Sequence, residues 1–156
     1  DLPELWAPLI EAVKSAGSTL MLHASEGPGH RYPGKGTATP ERLVRWLEHA
    51  QGVNVVFAHW GGGLPFYELM PEVFALTRNV AYDSAASTYL YRFDVFPRVI
   101  DLVGADRVIF GSDYPVLTQA RFLRRSSNAL RSEEEARQVL SGNAARIYRL
   151  EEGASP

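Results

Sequence analysis

Four short apolar runs, separated by stretches with helical patterning, restrict the fold of this chain more than any other feature. They lie at residues 18–24 (STLMLHA), 53–58 (VNVVFA), 80–83 (VAYD) and 107–110 (RVIF). Each is rich in β-branched or aromatic residues and apolar in succession rather than in alternation. That pattern predicts strands buried on both faces, as in a parallel sheet. A helix is expected before the first run, over residues 2–17, with Pro8 fixing its start near Ala7 or kinking it. Others are expected at 40–51, with Thr39 as cap and Pro40 first, and at 65–78, 95–103 and 119–130. Ser132 and Glu135 form a capping-box pattern for a last segment, which Gly142 and Asn143 should interrupt before a short helix at 144–150. Residues 151–156 are expected to fray.

The result is a helix followed by four strand–helix units at a period of roughly 26 to 35 residues, the size of a βαβ repeat. Such alternation gives a parallel α/β sheet. An open doubly wound sheet and part of a (β/α)₈ TIM-type barrel both fit. A whole barrel takes roughly 250 residues, and this chain has 156. One domain over residues 1–150 is therefore expected. The chain starts at Asp1 rather than Met, so a piece of a longer protein is expected.

The net charge of −2 gives no electrostatic reason for nucleic-acid or membrane partners. The chain contains no cysteine, which excludes disulfides, thiolate catalysis and Cys-based zinc sites. No apolar run approaches the roughly 20 residues of a membrane span. The default compartment is the cytoplasm.

Chemistry-bearing residues gather at the ends of the apolar runs. His23, His59 and Asp113 follow three of them, and Asp83 ends the fourth. In a parallel sheet all these positions face one rim, where α/β proteins place their sites. Imidazoles with a carboxylate suit a divalent transition ion, zinc first and manganese second. An unligated histidine could act as general acid or base. The plainer alternatives are a hydrogen-bonded histidine at each strand end and Asp113 capping the turn before Gln119. Asp83 reads as nearer to structural, and His49 as solvated surface on a polar helix face.

Gly61-Gly62-Gly63 could form an anion nest, but a tight strand-to-helix turn is the better reading. The chain has no Gly-x-Ser-x-Gly elbow, against a serine hydrolase, and no GxGxxG or GxxxxGK[ST] loop, against nucleotide binding. The Gly- and Pro-rich loop at 25–37 is long for a βα connection and lies over the expected rim. Its Glu26, His30, Arg31 and Lys35, together with Tyr91, are candidate substrate contacts, with Arg31 or Lys35 suited to a carboxylate.

FAHWGGGLPFYELMPEV, NVAYDSAAS, DRVIFGSDYP and SGNAARIY together resemble the amidohydrolase-related branch of the amidohydrolase superfamily, which includes aminocarboxymuconate semialdehyde decarboxylase-like proteins. The resemblance covers nearly the whole chain. It implies a distorted (β/α)₈ barrel, with His23 after strand five as a metal ligand and His59 after strand six as a catalytic or ligand histidine. Asp113, after strand eight, would be a metal ligand or proton shuttle. The family's strand-one His-x-His pair is absent, so the chain resembles the C-terminal half of a family member. A half-barrel should expose two sheet edges and an apolar interior, and so pair with itself or with an N-terminal half. The leading expectation is a metal-dependent hydrolase whose activated water attacks a carbonyl or C–X bond of a small carboxylate. The alternatives are a non-oxidative decarboxylase of an aromatic or unsaturated carboxylate, and an inactive half-barrel or assembly module.

Overall fold

The computed structural model describes residues 3–150, so the helix start expected at residue 2 and the frayed end at 151–156 lie outside it. Helix α1 (Pro3–Ser15) leads into strand β1 (Thr19–Leu22). The long loop follows, then α2 (Pro40–His49) and β2 (Asn54–Phe57). After β2 a run of tight turns over His59–Leu69 leads into α3 (Pro71–Leu76) and β3 (Val80–Asp83). Next come α4 (Ser87–Leu90), α5 (Val95–Val103), β4 (Val108–Ile109) and α6 (Gln119–Ala129). The chain closes with α7 (Glu133–Arg137), a π-helical turn at Gln138–Gly142, and α8 (Asn143–Tyr148).

The four strands form one parallel sheet in the order β1-β2-β3-β4. Strand alternation divides its side chains into two layers. Val55, Phe57, Val80, Tyr82 and Val108 join the main core with the helices. There α5 contributes Val95, Phe96, Val99, Ile100 and Val103, a spacing that puts all five on one helical stripe. Val56, Ala81 and Ile109 face the other way and are buried under Ile147 and Tyr148.

That second face departs from expectation. A half-barrel should leave its interior bare, yet the C-terminal segment crosses it. Ile147 O accepts from Thr19 Oγ1 at 2.7 Å, and Tyr148 Oη reaches Met21 Sδ at 3.7 Å. The β4 edge is also covered: Asn143 Nδ2 donates to Val108 O at 2.8 Å, and Phe110 N donates to Val139 O at 2.9 Å. Met21, 48 % exposed, is what remains open of the apolar interior-facing residues. The physical reason is simple: burying Val56 and Ile109 is worth about 1.5–3 kcal/mol each, and the last helix is long enough to reach them.

Other departures are local. The helix expected at 65–78 is instead a set of tight turns followed by a six-residue helix. Pro65 and Pro71 each open a new turn because neither can donate within a continuing helix. Gly142 has ordinary helical angles (φ −60, ψ −40), so the last segment runs through it as a π turn rather than breaking. Thr39 occupies the cap position of α2 without a side-chain bond, whereas Ser132 Oγ accepts from Glu135 N at 3.1 Å as expected. Helix α1 starts at Pro3 and runs through Pro8.

One buried ion pair locks the turns after β2 to the sheet. Glu68, with 1 % of its side chain exposed, takes a two-pronged bond from Arg107 at 2.8 Å on each oxygen. Tyr82 Oη also donates to Glu68, and Arg107 donates onward to Val80 O and Thr77 O. Because every polar group is matched, the network is tolerated in the interior, and removing one member strands a charge. Glu68→Gln is expected to cost about 3–5 kcal/mol, read as a lower urea midpoint with an unchanged denaturant slope.

Candidate active-site rim

The rim forms where the strands release the chain at their C-terminal ends. His23 directly follows β1 and lies on the same sheet face as Met21. His59 follows β2 by two residues and begins a left-handed turn. His59 and Trp60 both have φ 56, and Gly61, Gly62 and Gly63 continue at 58, 62 and 96. The two residues with side chains are strained there by about 1–2 kcal/mol each. Trp60 offsets this: it is fully buried, meets Phe96 edge-on at 4.8 Å, and donates Nε1–H to Ser87 Oγ at 2.7 Å. Glycine is required at two of the turn positions. A Cβ on Gly61 would come within 2.9 Å of the Tyr82 ring, and one on Gly62 within 2.4 Å of Ser25 O. The triglycine is thus a packed turn, buried throughout, and not an open anion nest.

The turn brings the two histidine rings together, with centroids 5.0 Å apart and planes at 70°. His59 Nδ1 lies 3.2 Å from Ala85 O. A carbonyl only accepts, so Nδ1 donates to it, and in the neutral tautomer Nε2 is the nitrogen with the lone pair. His23 Nε2 pairs with Ser25 Oγ at 2.9 Å, and Gly36 N donates to the same oxygen at 3.0 Å. Partial desolvation first, and the facing His59 second, lower the pKa of His23, while Glu26 and Asp113 pull it upward.

Asp113 sits in a left-handed turn (φ 61), half-buried. It does not cap the following helix, whose N-cap is Thr118. Its charge acts on His23 and also on Asp83. Asp83, read from the sequence as nearer to structural, lies at the same rim. It is 3 % exposed, on the sheet face shared with Ala81, and its Oδ1 accepts from Ala85 N at 2.6 Å. Gly111 leaves the space for the other oxygen, since a Cβ there would lie 1.9 Å from Asp83 Oδ2. Burial pushes its pKa up to about 6, against the Ala85 N–H and His59, with Asp113 adding to the rise. His23, His59, Asp83 and Asp113 therefore meet at one rim.

The loop residues divide. Lys35 spends its ammonium on the loop itself, donating to Pro28 O at 2.9 Å and His30 O at 3.2 Å. His30 and Arg31 are exposed. No hydrogen bond, ion pair or ring contact among the described residues joins these three to His59 or Asp113. Glu26 Oε2 accepts from Tyr32 Oη at 2.9 Å, and Glu26 faces Tyr91 closely enough to raise its pKa without a well-formed hydrogen bond.

A divalent ion needs more than these side chains supply. Among the described residues no three His, Asp or Glu groups are gathered tightly enough to hold one. His23 Nε2 is engaged by Ser25, and His59 Nδ1 faces a carbonyl. The donor types fit an ion; the set is incomplete.

The family model described as Amidohydrolase matches residues 1–150. This chain belongs to the amidohydrolase family. Among solved structures, it is similar to 5-carboxyvanillate decarboxylase of Sphingomonas paucimobilis, at 20 % identity and a TM-score of 0.71 over 92 % of this chain and 53 % of that one. It is similar to a dihydroxybenzoic acid decarboxylase of Polaromonas sp. JS666, solved with manganese and the inhibitor 2-nitroresorcinol, at 18 % and 0.70 over 92 % and 53 %. A candidate 2-pyrone-4,6-dicarboxylic acid hydrolase of Pseudomonas putida matches at 18 % and 0.70 over 97 % and 60 %. No curated protein matches the chain. The chain spans about half the length of the solved proteins it resembles, and its four strand–helix units are those of a TIM-type α/β fold. Among the described residues no helix is long and apolar enough to cross a membrane.

The buried Asp83 makes a pH-dependent contribution. Its native pKa is raised from 3.8 to about 6, so the folded state holds a proton that the unfolded state releases between those values. Its contribution to stability is full below pH 3.8 and is lost as pH rises through about 6, by about 3 kcal/mol in all. Urea melts of wild type and Asp83→Asn at pH 4 and pH 7 should show the wild type losing stability relative to the variant at the higher pH.

Proposed function

We propose that this chain carries the C-terminal half of the active site of a metal-dependent amidohydrolase-family enzyme that removes CO₂ from an aromatic carboxylate. The observation that carries the reading is the meeting of His23, His59, Asp83 and Asp113 at one strand-end rim. The choice of decarboxylation is supported by the two decarboxylases among the similar structures. Hydrolysis, the sequence's first expectation, is the second reading and is favoured by the hydrolase candidate of the same fold.

His23 and Asp113 are the residues to hold a divalent ion, with the remaining ligands from outside this chain, supplied by an N-terminal half or a second copy. Manganese is favoured by the dihydroxybenzoate enzyme, and zinc was the expectation from donor chemistry. Such an ion supplies positive charge for the substrate carboxylate. The chain's own contribution is proton handling. His59 is held by Ala85 O through Nδ1 with Nε2 free, so Nε2 would first take a proton from water or substrate, and the imidazolium so formed would pass that proton to the ring carbon as the C–C bond breaks. A lowered His23 pKa keeps that imidazole neutral, the form that binds a metal. Asp83 holds the Ala85 segment through its N–H, and so orients His59 indirectly.

Manganese titration followed by paramagnetic line-broadening tests the ion site: His23→Ala and Asp113→Ala should each weaken binding by about 10–100-fold. In the protein joined to its N-terminal half, CO₂ release from hydroxybenzoates should exceed hydrolysis of lactones, esters and amides, and His59→Ala should lower it by about 10²–10⁴. Unchanged metal affinity in both ligand variants, or lactone hydrolysis without CO₂, would sink the proposal.

A further inference from the structure

A hollow of about 340 Å³ opens at the end of the sheet opposite the rim, where β2 and β3 begin and α8 ends. Four arginines line it, Arg78, Arg107, Arg146 and Arg149, against one carboxylate, Asp106. Arg107 is engaged with Glu68 and with the carbonyls of Val80 and Thr77. The other three are exposed, and none of them forms an ion pair among the described residues.

The hollow has unused donors, whereas backbone carbonyls along it are taken. Asn79 O accepts from Val55 N, Asp106 O from Arg146, and Ile147 O from Thr19. Asn54 and Asn79 also line it, and their side-chain amides bond to nothing else among the described residues. Helices α3 and α8 end just before Arg78 and Arg149, and each brings a partial negative charge of about half a unit. Set against three guanidiniums and one carboxylate, these still leave the hollow positive.

We propose that this hollow binds a phosphate group, as the free ion or as the end of a small phosphate monoester. A planar carboxylate is matched by a single guanidinium fork. Guanidiniums arriving from the start of β3, from α8 and from the residue after it suit an anion whose oxygens point in several directions, and arginine meets phosphate with paired donors and a fixed charge. Asp106 opposes the bound charge and holds the affinity down. None of His23, His59, Asp83 and Asp113 lines the hollow, and the inference does not depend on the reaction assigned to the rim.

The test is a titration of the ¹⁵N-labelled full chain with inorganic phosphate, glycerol phosphate and acetate at matched ionic strength. Phosphate should bind saturably and shift the amides of Asn79, Asp106 and Arg146. Acetate should bind about tenfold more weakly. Arg78→Gln and Arg146→Gln should each weaken phosphate by about fivefold or more, and Asp106→Asn should tighten it by about twofold or more. Affinity should fall between about 0.01 M and about 0.15 M ionic strength, because the charges are exposed. If Arg146→Gln loses its native spectrum, Arg78→Gln and Asp106→Asn, both at exposed positions, carry the test. Glycerol phosphate as tight as the free ion, or tighter, supports the site and assigns it to a monoester; weaker binding supports it and assigns the free ion. Acetate as tight as phosphate overturns the proposal. So does phosphate that is indifferent to the variants, that fails to saturate, or that shifts the rim amides and leaves the hollow unchanged.

Discussion

The rim rests on a reversal of backbone hand. After β2 the chain takes five residues in the left-handed region, at a cost that two of them bear with full side chains. That reversal turns the His59 ring toward His23 instead of letting a helix carry it onward. It survives because its neighbours over-determine it: Trp60 is seated among Phe96 and Ser87, while the glycines fit beneath Ser25 and against Tyr82. Strain held in this way, next to groups able to do chemistry, is characteristic of functional sites.

Beneath the rim, two devices hold the sheet. The first is the Glu68–Arg107–Tyr82 network, which ties the segment after β2 to the strands and to the carbonyls of Val80 and Thr77. The second is the C-terminal segment. Its Asn143 takes up Val108 O at the edge of β4, and Ile147 and Tyr148 cover the small apolar layer that a barrel would keep inside. The four units thus bury most of both sheet faces within one chain.

Much of this was legible in the sequence, and the failures have physical causes. Strand positions and their parallel order followed from unbroken apolar runs, and the convergence of His23, His59 and Asp113 followed from the polarity of a parallel sheet. The helix at 95–103 came out with the same limits, because its apolar spacing and the glycine after it agree. The segment at 65–78 misled because its residues favour a helix while Pro71 divides it. The burial of Asp83 and the space that Gly111 leaves for it are tertiary facts that the sequence does not show. The covering of the second face depends on where the last helix comes to lie, which no local pattern encodes. Lys35 read as a carboxylate contact by its charge alone, and only the folded loop shows its ammonium facing the loop's own carbonyls.

The absence of side chains at 61 and 62 also limits how this sequence can drift. A Cβ at 62 meets the Ser25 carbonyl, and one at 61 meets the Tyr82 ring. A larger residue at either place is therefore viable only in a chain whose β1 loop or third strand has already given way. Three segments distant in sequence are bound to change in concert, and the order of those changes is constrained: the neighbours must retreat before the turn can gain bulk.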